Sequence, residues 1–296
     1  MAIATDIKTA RPTPGIPKWL PVEGTRRFFS NRNNMLALLL LGPLVAIALA
    51  APWLPLPDPL QPNLAERFHS PAPDHPFGTD KMGRDIFSRS LSALKLSLAV
   101  GLAAAGIALA VGIVIGTMAG FMGSVVDRAV STVVDVLLSF PTLLMVIGLV
   151  AVFGAGVPQI IAAIAIADSP RAIRLQRALA LGLKSRTYMD AARLASAPTW
   201  WMLLRHVLPN TIAPMIVVAT MYASNAIQAE AALSFLGLGI VPPEPSLGNL
   251  ADEGRQYLQE AWWISTIPGL LIGVLALGLH FLSDGIREHL DPRMRH

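Results

Sequence analysis

The sequence predicts an all-α membrane protein with six transmembrane helices. Apolar residues make up 53% of its 296 residues and charged residues only 14%, whereas about a quarter of the residues in a soluble domain are charged. The mean hydropathy is +0.55. The charges are also clustered, which leaves long uncharged stretches between them. A helix needs roughly 20 apolar residues to cross the hydrocarbon core of a bilayer, and six stretches reach or approach that length.

The six predicted helices follow from these stretches in order. The first is short, contains Pro43 and is followed by a proline-rich segment. Ala48-Leu49-Ala50 resembles a signal-peptide cleavage site, but the long polar segment before this helix favours an uncleaved span. The uncharged stretch 136–167 is interrupted by Gly154-Ala155-Gly156-Val157-Pro158, which predicts a helical hairpin. The predicted helices are 35–51, 96–121, 129–153, 159–171, 207–229 and 264–283.

The distribution of basic residues orients these helices. The expected cytoplasmic segments are the N-terminal tail 1–34, the turn 122–128, the loop 171–206 and the C-terminal tail 284–296. The expected external loops are 52–94 and 230–263, and residues 95–283 form a core of five helices. The cytoplasmic segments hold 17 of the 23 lysine and arginine residues, and the external loops hold five. Because positive charge accumulates on the cytoplasmic side, both termini are predicted to be cytoplasmic.

The sequence contains no residue pattern typical of an enzyme. It has no cysteine, its six histidines are scattered, and it lacks both a P-loop and a Gly-x-Ser-x-Gly motif. We therefore predict that this chain binds no metal and no cofactor. Membrane orientation accounts for the net charge of +4, so we predict no nucleic-acid partner. Asp135 and Asp168 are the acids that an intramembrane enzyme would use, but we interpret both as lying at helix ends near the cytoplasmic surface.

The cytoplasmic loop 171–206 is the most informative segment. It is rich in helix-forming residues and alternates apolar with basic positions. Pro198 interrupts this pattern, which predicts short amphipathic helices outside the membrane. Short helices are marginally stable alone in water, so we expect them to pack against a partner protein. The alternative is that they rest on lipid headgroups.

Several residues of this loop form a recognisable motif. The segment resembles the EAA loop of binding-protein-dependent ABC importer permeases. Asp190 stands where that family usually has glutamate, and Ser196 stands where it usually has glycine. The residues of the motif are Asp190, Ala191, Ala192, Arg193, Ser196, Arg205, His206, Leu208, Pro209 and Asn210.

Other motifs narrow the resemblance to the C-type permease of the dipeptide/oligopeptide and nickel transport family. They cover the chain from about residue 75 to residue 293, in the order found in that family. Leu247 departs from the tryptophan common in that family. The matching segments are His75–Asp80, Gly83–Asp85, Ser88–Arg89, Gly112–Asp127, Ser139–Pro141, Leu233–Gly239, Pro242–Ser246, Asp284–Arg287 and Leu290–Arg293.

The resemblance implies the six-helix, MetI-like fold of a type I ABC importer permease in the bacterial cytoplasmic (inner) membrane. It also implies a homologous second permease as the other half of a heterodimer, two ABC ATPase subunits that bind ATP and Mg²⁺, and a periplasmic solute-binding protein. Membrane lipid surrounds the helices. Loop 171–206 would then couple ATPase closure to alternating access. The implied substrates are di- or oligopeptides, although close relatives carry nickel, glutathione or opines.

Specific roles follow as hypotheses. Asp190 would cap a helix or pair with an arginine, and Ala191 and Ala192 would allow close approach of the ATPase; each could equally be an ordinary surface or helix-forming residue. Pro209 and Asn210 would form the turn into the next helix. Four-residue spacing predicts that a ridge formed by Gly112, Gly116 and Gly120 packs on another helix. The residues predicted near the translocation path are Glu230, Ser139, Phe140 and Pro141. Glu230 could equally be an acid at the membrane interface with no role in transport.

The external loops 52–94 and 230–263 would form the landing surface for the solute-binding protein. Trp262 and Trp263 are predicted to anchor the last helix at the membrane interface. Two rival functions remain at this point: a channel or secondary transporter that works alone, and an intramembrane enzyme that uses Asp135 and Asp168.

Overall fold

The computed structural model describes residues 31–290. Residues 1–30 of the predicted N-terminal tail and residues 291–296 of the predicted C-terminal tail lie outside the described residues. Within 31–290 the chain is built from α-helices joined by turns and by one longer segment, 51–85, that contains two 3-10 turns. A π-helical turn, Leu203–Val207, connects two of the α-helices without a break. The α-helices are α1 (Arg32–Ala50), α2 (Ile86–Met122), α3 (Ser124–Leu138), α4 (Thr142–Phe153), α5 (Val157–Lys184), α6 (Thr187–Leu194), α7 (Thr199–Met202), α8 (Leu208–Phe235), α9 (Leu247–Arg255) and α10 (Trp263–Leu290).

Four helical runs in the described chain are long and apolar enough to cross a membrane. They are α1, α2, the run Thr199–Phe235 that ends in α8, and most of α10. Helices α3 and α4 add a fifth span if the bent pair is counted as one. Helix α5 is long enough to cross a membrane, at 28 residues, but its second half contains three arginines and a lysine. The all-α membrane fold is confirmed, with four to five apolar spans where six are predicted.

The predicted helix 129–153 is two helices rather than one. Helix α3 ends at Leu138 and α4 begins at Thr142, and the two are bent by 93°. Pro141 lies at the break. Proline has no backbone N–H to donate, and its ring collides with the preceding helical turn. The prediction of one continuous helix is therefore wrong at this position.

Four other helices extend beyond their predicted ends. Helix α2 begins at Ile86 because the Asp85 carboxylate caps it, accepting a hydrogen bond from the backbone N–H of Ser88 at 2.7 Å. Helices α5, α8 and α10 continue past the charged residues that ended the predicted spans. The loops 52–94, 171–206 and 230–263 are therefore shorter than predicted, and α9 lies inside the last of them.

Helix α5 lies closely along α2 because glycines on α2 leave room for it. A Cβ atom at Gly112 would come within 2.5 Å of the Ala172 Cβ, and one at Gly116 within 2.6 Å of the Ile173 carbonyl oxygen. At Gly120 the nearest neighbour, Ala180, would be 2.9 Å away. Small residues at four-residue spacing allow two backbones to approach in this way. The two helices therefore form a tightly packed pair.

A buried glutamine joins this pair to α8. The Gln176 side chain on α5 is fully enclosed. Its Nε2 donates hydrogen bonds to the Thr117 hydroxyl on α2 at 2.7 Å and to the Thr211 hydroxyl on α8 at 3.0 Å. A broken hydrogen bond at a buried polar group is costly, so these contacts favour one relative arrangement of the three helices.

Candidate functional site

The loop between α5 and α8 is attached to the ends of two long helices. On α6, the guanidinium of Arg193 donates to the Asp190 carboxylate at 2.6 Å and to the backbone carbonyl of Lys184, the last residue of α5, at 3.0 Å. The Lys184 ammonium donates to the carbonyl of Phe121 near the end of α2 at 2.9 Å. These hydrogen bonds connect α6 to the ends of α5 and α2.

The turn that follows α6 depends on Ser196. This residue has a φ of +57°, in the left-handed region that glycine adopts most easily. Its N–H donates to the Arg193 carbonyl at 2.9 Å, and the Ala197 N–H donates to the Ala192 carbonyl at 3.1 Å. This pair of bonds is the Schellman motif that ends many helices. Glycine would adopt this geometry without the strain that serine carries.

The α5–α8 loop has a buried side and an exposed apolar side. Met189, Met202 and Val207 are enclosed with Phe121 and Ala180 at the ends of α2 and α5. The residues on the other side are large, apolar and exposed: Leu194 is 88% exposed, and Tyr188, Trp200 and Leu204 accompany it. Large apolar side chains that are exposed together on one loop are typical of an interaction site.

The loop enters α8 through an aromatic cluster and the π-helical turn. The ring centroid of His206 lies 5.7 Å from that of Tyr188 and 5.1 Å from that of Trp201. The Asn210 side chain donates to the His206 carbonyl at 2.6 Å, and Pro209 lies in the first turn of α8. A π-helical turn often marks a functional position because it interrupts the regular hydrogen-bond ladder.

Among the remaining predicted loop residues, Ala191 and Arg205 are exposed, and Ala192 and Leu208 are half-buried. Lys184, Phe121 and Tyr188 were not predicted as part of this site, because they join it through contacts between distant segments. The high exposure of Leu194 was not predicted either.

A series of ion pairs joins α5 to the bent helices α3 and α4. Arg177 pairs with Asp127, and Arg174 pairs with Asp135. Arg171 pairs with Asp168 and also donates to the Thr142 hydroxyl at 2.6 Å. The three arginines are three residues apart and therefore share one face of α5.

The structure corrects the interpretation of Asp168. This carboxylate is buried in the middle of α5, not at a helix end, whereas Asp135 is exposed three residues before the end of α3. Each acid pairs with its own arginine. The arrangement that an intramembrane enzyme would need, with both acids at one site, is therefore not supported by these contacts.

The residues predicted near the translocation path lie in different environments. Ser139, Phe140 and Pro141 form the exposed bend between α3 and α4, and Phe140 is 57% exposed. Glu230 is fully enclosed within the subunit. Its carboxylate accepts hydrogen bonds from the hydroxyls of Ser234 at 2.8 Å and Ser97 at 3.1 Å. The bend is thus exposed in this chain, whereas the Glu230 side chain is enclosed and bonded to serines of α2 and α8.

The segment before α2, residues 54–85, is held by a buried charge network. The Arg89 guanidinium, 2% exposed, contacts Asp80 at 2.6 Å and Glu253 at 2.9 Å. Arg84 also contacts both acids, at 2.7 and 3.2 Å. Glu253 lies on α9, so the network connects segment 54–85 and α2 to α9. The motif segments 75–80 and 83–89 therefore supply most of the side chains of this network.

His75 adds a pH-sensitive contact to this segment. Its ring nitrogens lie 2.9 Å from the Asp85 carboxylate and 3.2 Å from that of Glu66. The hydrogen bond to Asp85 raises the pKa of the imidazole above 6.5; burial opposes this shift, and Glu66 reinforces it. Protonated His75 therefore stabilises the start of α2, where Asp85 is the capping residue.

The two adjacent tryptophans have different surroundings. Trp263 is buried, and its indole N–H donates to the Thr79 carbonyl at 3.1 Å. Trp262 is 53% exposed. The prediction that both anchor the chain at the membrane interface is therefore wrong for Trp263, which packs against the segment before α2. In the described part of the chain, no three His, Cys, Asp or Glu side chains are grouped so that they could hold a metal ion.

Comparison with known proteins places these features in context. Residues 112–296 match the family model described as binding-protein-dependent transport system inner membrane component. The chain is 36% identical to the di/tripeptide transport system permease protein of Pseudomonas aeruginosa, over 99% of this chain and 97% of the relative. It is 39% identical to the glutathione transport system permease protein of Shigella flexneri, over 92% of this chain and 90% of the relative.

Among solved structures, the fold is similar to a chain of the inward-facing MetNI methionine ABC transporter. The TM-score is 0.55 at 17% sequence identity, over 70% of this chain and 97% of that chain. At this identity the likeness concerns the fold alone.

Proposed function

The chain belongs to the family of binding-protein-dependent transport system inner membrane components and has the fold of a type I ABC importer permease; from this premise we propose that it imports di- or oligopeptides, driven by partner ATPase subunits. It is an integral, multi-pass protein of the inner membrane. Relatives named for peptide transport support the substrate class. The glutathione relative makes a glutathione substrate the main alternative, and nickel or opines are further ones.

The attachment of α6 carries the coupling part of the proposal. Through Arg193, Lys184 and Phe121, α6 is bonded to the ends of α5 and α2. Its exposed apolar side, with Leu194 at the tip, provides a surface for the ATPase. A conformational change requires that the partner contact its two states differently. Closure of the ATPases would therefore move α6, and the packed pair α2–α5 would follow.

The proposed complex also fixes an orientation. The α5–α8 loop and both termini would face the cytoplasm, as the basic residues favour. ATP and Mg²⁺ would bind to two ATPase subunits, because this sequence has no P-loop. A homologous permease would form the other half of the pathway, with the exposed bend Ser139–Pro141 lining it. The charge-linked external loops would receive the solute-binding protein.

Reconstitution tests this proposal. The chain would be purified with its sister permease and both ATPases, placed in proteoliposomes, and supplied with a solute-binding protein and a radiolabelled dipeptide. We expect uptake only when ATP and the binding protein are both present, and no uptake with a non-hydrolysable ATP analogue. Uptake by the chain alone, without ATPases, would identify a channel or secondary transporter instead. Competition by unlabelled glutathione distinguishes the two leading substrates.

A further inference from the structure

The external loop between α8 and α9, residues 236–246, packs closely against a single side chain, that of Ser234. Ser234, in the last turn of α8, is 1% exposed. A Cβ atom added at Gly239 would lie 2.0 Å from the Ser234 hydroxyl oxygen, and one at Gly248 would lie 2.6 Å from the Ser234 Cβ. Gly239 within the loop and Gly248 in the first turn of α9 therefore approach Ser234 so closely that only glycine fits at either position.

A chain of buried hydrogen bonds connects the loop to the helices of the membrane core. The Ser246 hydroxyl donates to the Ser234 hydroxyl at 3.2 Å, and Ser234 donates to Glu230 at 2.8 Å. The second carboxylate oxygen of Glu230 accepts from Ser97 on α2 at 3.1 Å. Glu230 therefore links the closed loop to a helix that runs across the membrane.

The same chain continues into the loop and into α9. Ser246 is the N-cap of α9, and its hydroxyl accepts from the Asn249 backbone N–H at 3.2 Å. The Asn249 side chain donates to the Ile240 carbonyl at 2.5 Å. The middle of the loop and its end are thus fixed by bonds that depend on the position of Ser246.

A carboxylic acid at this position is costly. Glu230 has no exposed surface, and serine hydroxyls hold it instead of a basic side chain. Hydrogen bonds recover only part of the free energy lost on removing such a group from water. Apolar residues could fill the same space, so the acid indicates a requirement beyond packing.

The loop that these bonds fix presents an apolar surface. Leu236 is 55% exposed and Val241 is 53% exposed, and Leu238 lies between them at 37%. Exposed apolar side chains on a loop held in one conformation are suited to contact with a protein partner, because little conformational entropy is lost on binding.

We propose that Glu230 is a positioning residue for docking of the solute-binding protein. Through Ser234 and Ser246 it holds loop 236–246 in the conformation that this partner contacts, and through Ser97 it ties the loop to α2. The inference rests on the proposed function, which supplies the partner and places the loop outside.

The test uses the complete complex in nanodiscs and measures ATP hydrolysis against the concentration of dipeptide-loaded binding protein. For Glu230→Ala and Ser246→Ala, we expect the half-saturating concentration to rise about tenfold, while the rate at saturation falls by less than about twofold. Glu230→Gln keeps the shape and can still hydrogen-bond both serines, so we expect it to stay within about twofold of wild type. Ser224→Ala is the matched control, because Ser224 is a buried α8 serine that donates to the Ala276 carbonyl.

Wild-type half-saturation in both Glu230→Ala and Ser246→Ala would overturn the positioning role. So would an equal change in Ser224→Ala, or a Glu230→Gln defect as large as that of Glu230→Ala. If Glu230→Ala does not assemble, Ser246→Ala and Glu230→Gln decide the question. A wild-type complex that no binding protein stimulates overturns the proposed function itself, and that result is visible before any variant is compared.

Discussion

The guanidinium of Arg193 donates a hydrogen bond to the backbone carbonyl oxygen of Lys184 at 3.0 Å, which joins α6 to the end of α5. Arg193 also pairs with Asp190 within α6. The side chain therefore connects the proposed ATPase-binding element to the membrane core.

Arg193→Ala removes both bonds, so ATPase closure should no longer move α5 efficiently. We expect ATP-dependent uptake to fall about tenfold, with a smaller loss of ATP hydrolysis. Asp190→Lys should have at least the same effect, because it places a like charge beside Arg193. Both rates are measured in the same proteoliposomes, with the exposed Arg186→Ala as control. An unchanged ratio of uptake to hydrolysis in Arg193→Ala would contradict the coupling role.

Ser196→Gly should stabilise the protein. A non-glycine residue with positive φ costs about 1 kcal/mol, so glycine should raise the Tm in detergent by about 2 °C. Ser185→Gly provides the control, because Ser185 ends α5 with a φ of −90° and gains nothing from glycine. A lower Tm for Ser196→Gly than for wild type would show that the turn is not strained.

Gly116→Ala tests the contact between α2 and α5. The added methyl group would lie within 2.6 Å of the Ile173 carbonyl oxygen, and overpacking of this kind costs about 1–3 kcal/mol. Gly106→Ala on the same helix meets no atom within 4 Å and should be neutral or stabilising. Thermal unfolding of the two variants in one detergent gives the comparison. Equal Tm values would mean that α2 and α5 can move apart without loss of stability.

The His75 contacts should make stability depend on pH. Because Asp85 raises the pKa of His75 in the folded state, the stabilisation is fully present below the unfolded pKa and is lost as the pH rises through the folded pKa. His75→Gln should therefore lower the Tm more at about pH 5.5 than at about pH 9. His280→Gln, at an exposed position of α10, is the control. A loss that is larger at the higher pH would contradict this assignment.

Hydropathy and motif spacing predicted the class of fold and the location of the α5–α8 loop, because both depend on local composition. Helix ends were predicted less well. The prediction ended the fourth helix at Arg171, yet α5 continues to Lys184 because its arginines pair with acids on α3 and within α5. The end of an apolar stretch therefore marks the first charged residue and not the end of the helix.

Contacts between distant segments were beyond sequence reasoning. From the sequence, Glu230 is predicted either to line the translocation path or to lie at the membrane interface. Its hydrogen bond with Ser97, 133 positions earlier, is found only in the structure. Likewise, Pro141 in the sequence indicates that a helix could break there. The angle of 93° between α3 and α4 depends on how both helices pack on α5. Such roles require the three-dimensional arrangement of residues that lie far apart in the chain.

Site-directed labelling gives the most direct test that the α5–α8 loop faces the cytoplasm and contacts the ATPases. The chain has no cysteine, so Leu194→Cys, at the 88% exposed tip of α6, would carry its only thiol; Leu64→Cys, 68% exposed before α2, marks the opposite side. We predict that a membrane-impermeant maleimide labels Leu194→Cys only in inside-out vesicles, and that assembled ATPase subunits protect it. Labelling of Leu194→Cys in right-side-out cells, or no protection by the ATPases, would contradict the account.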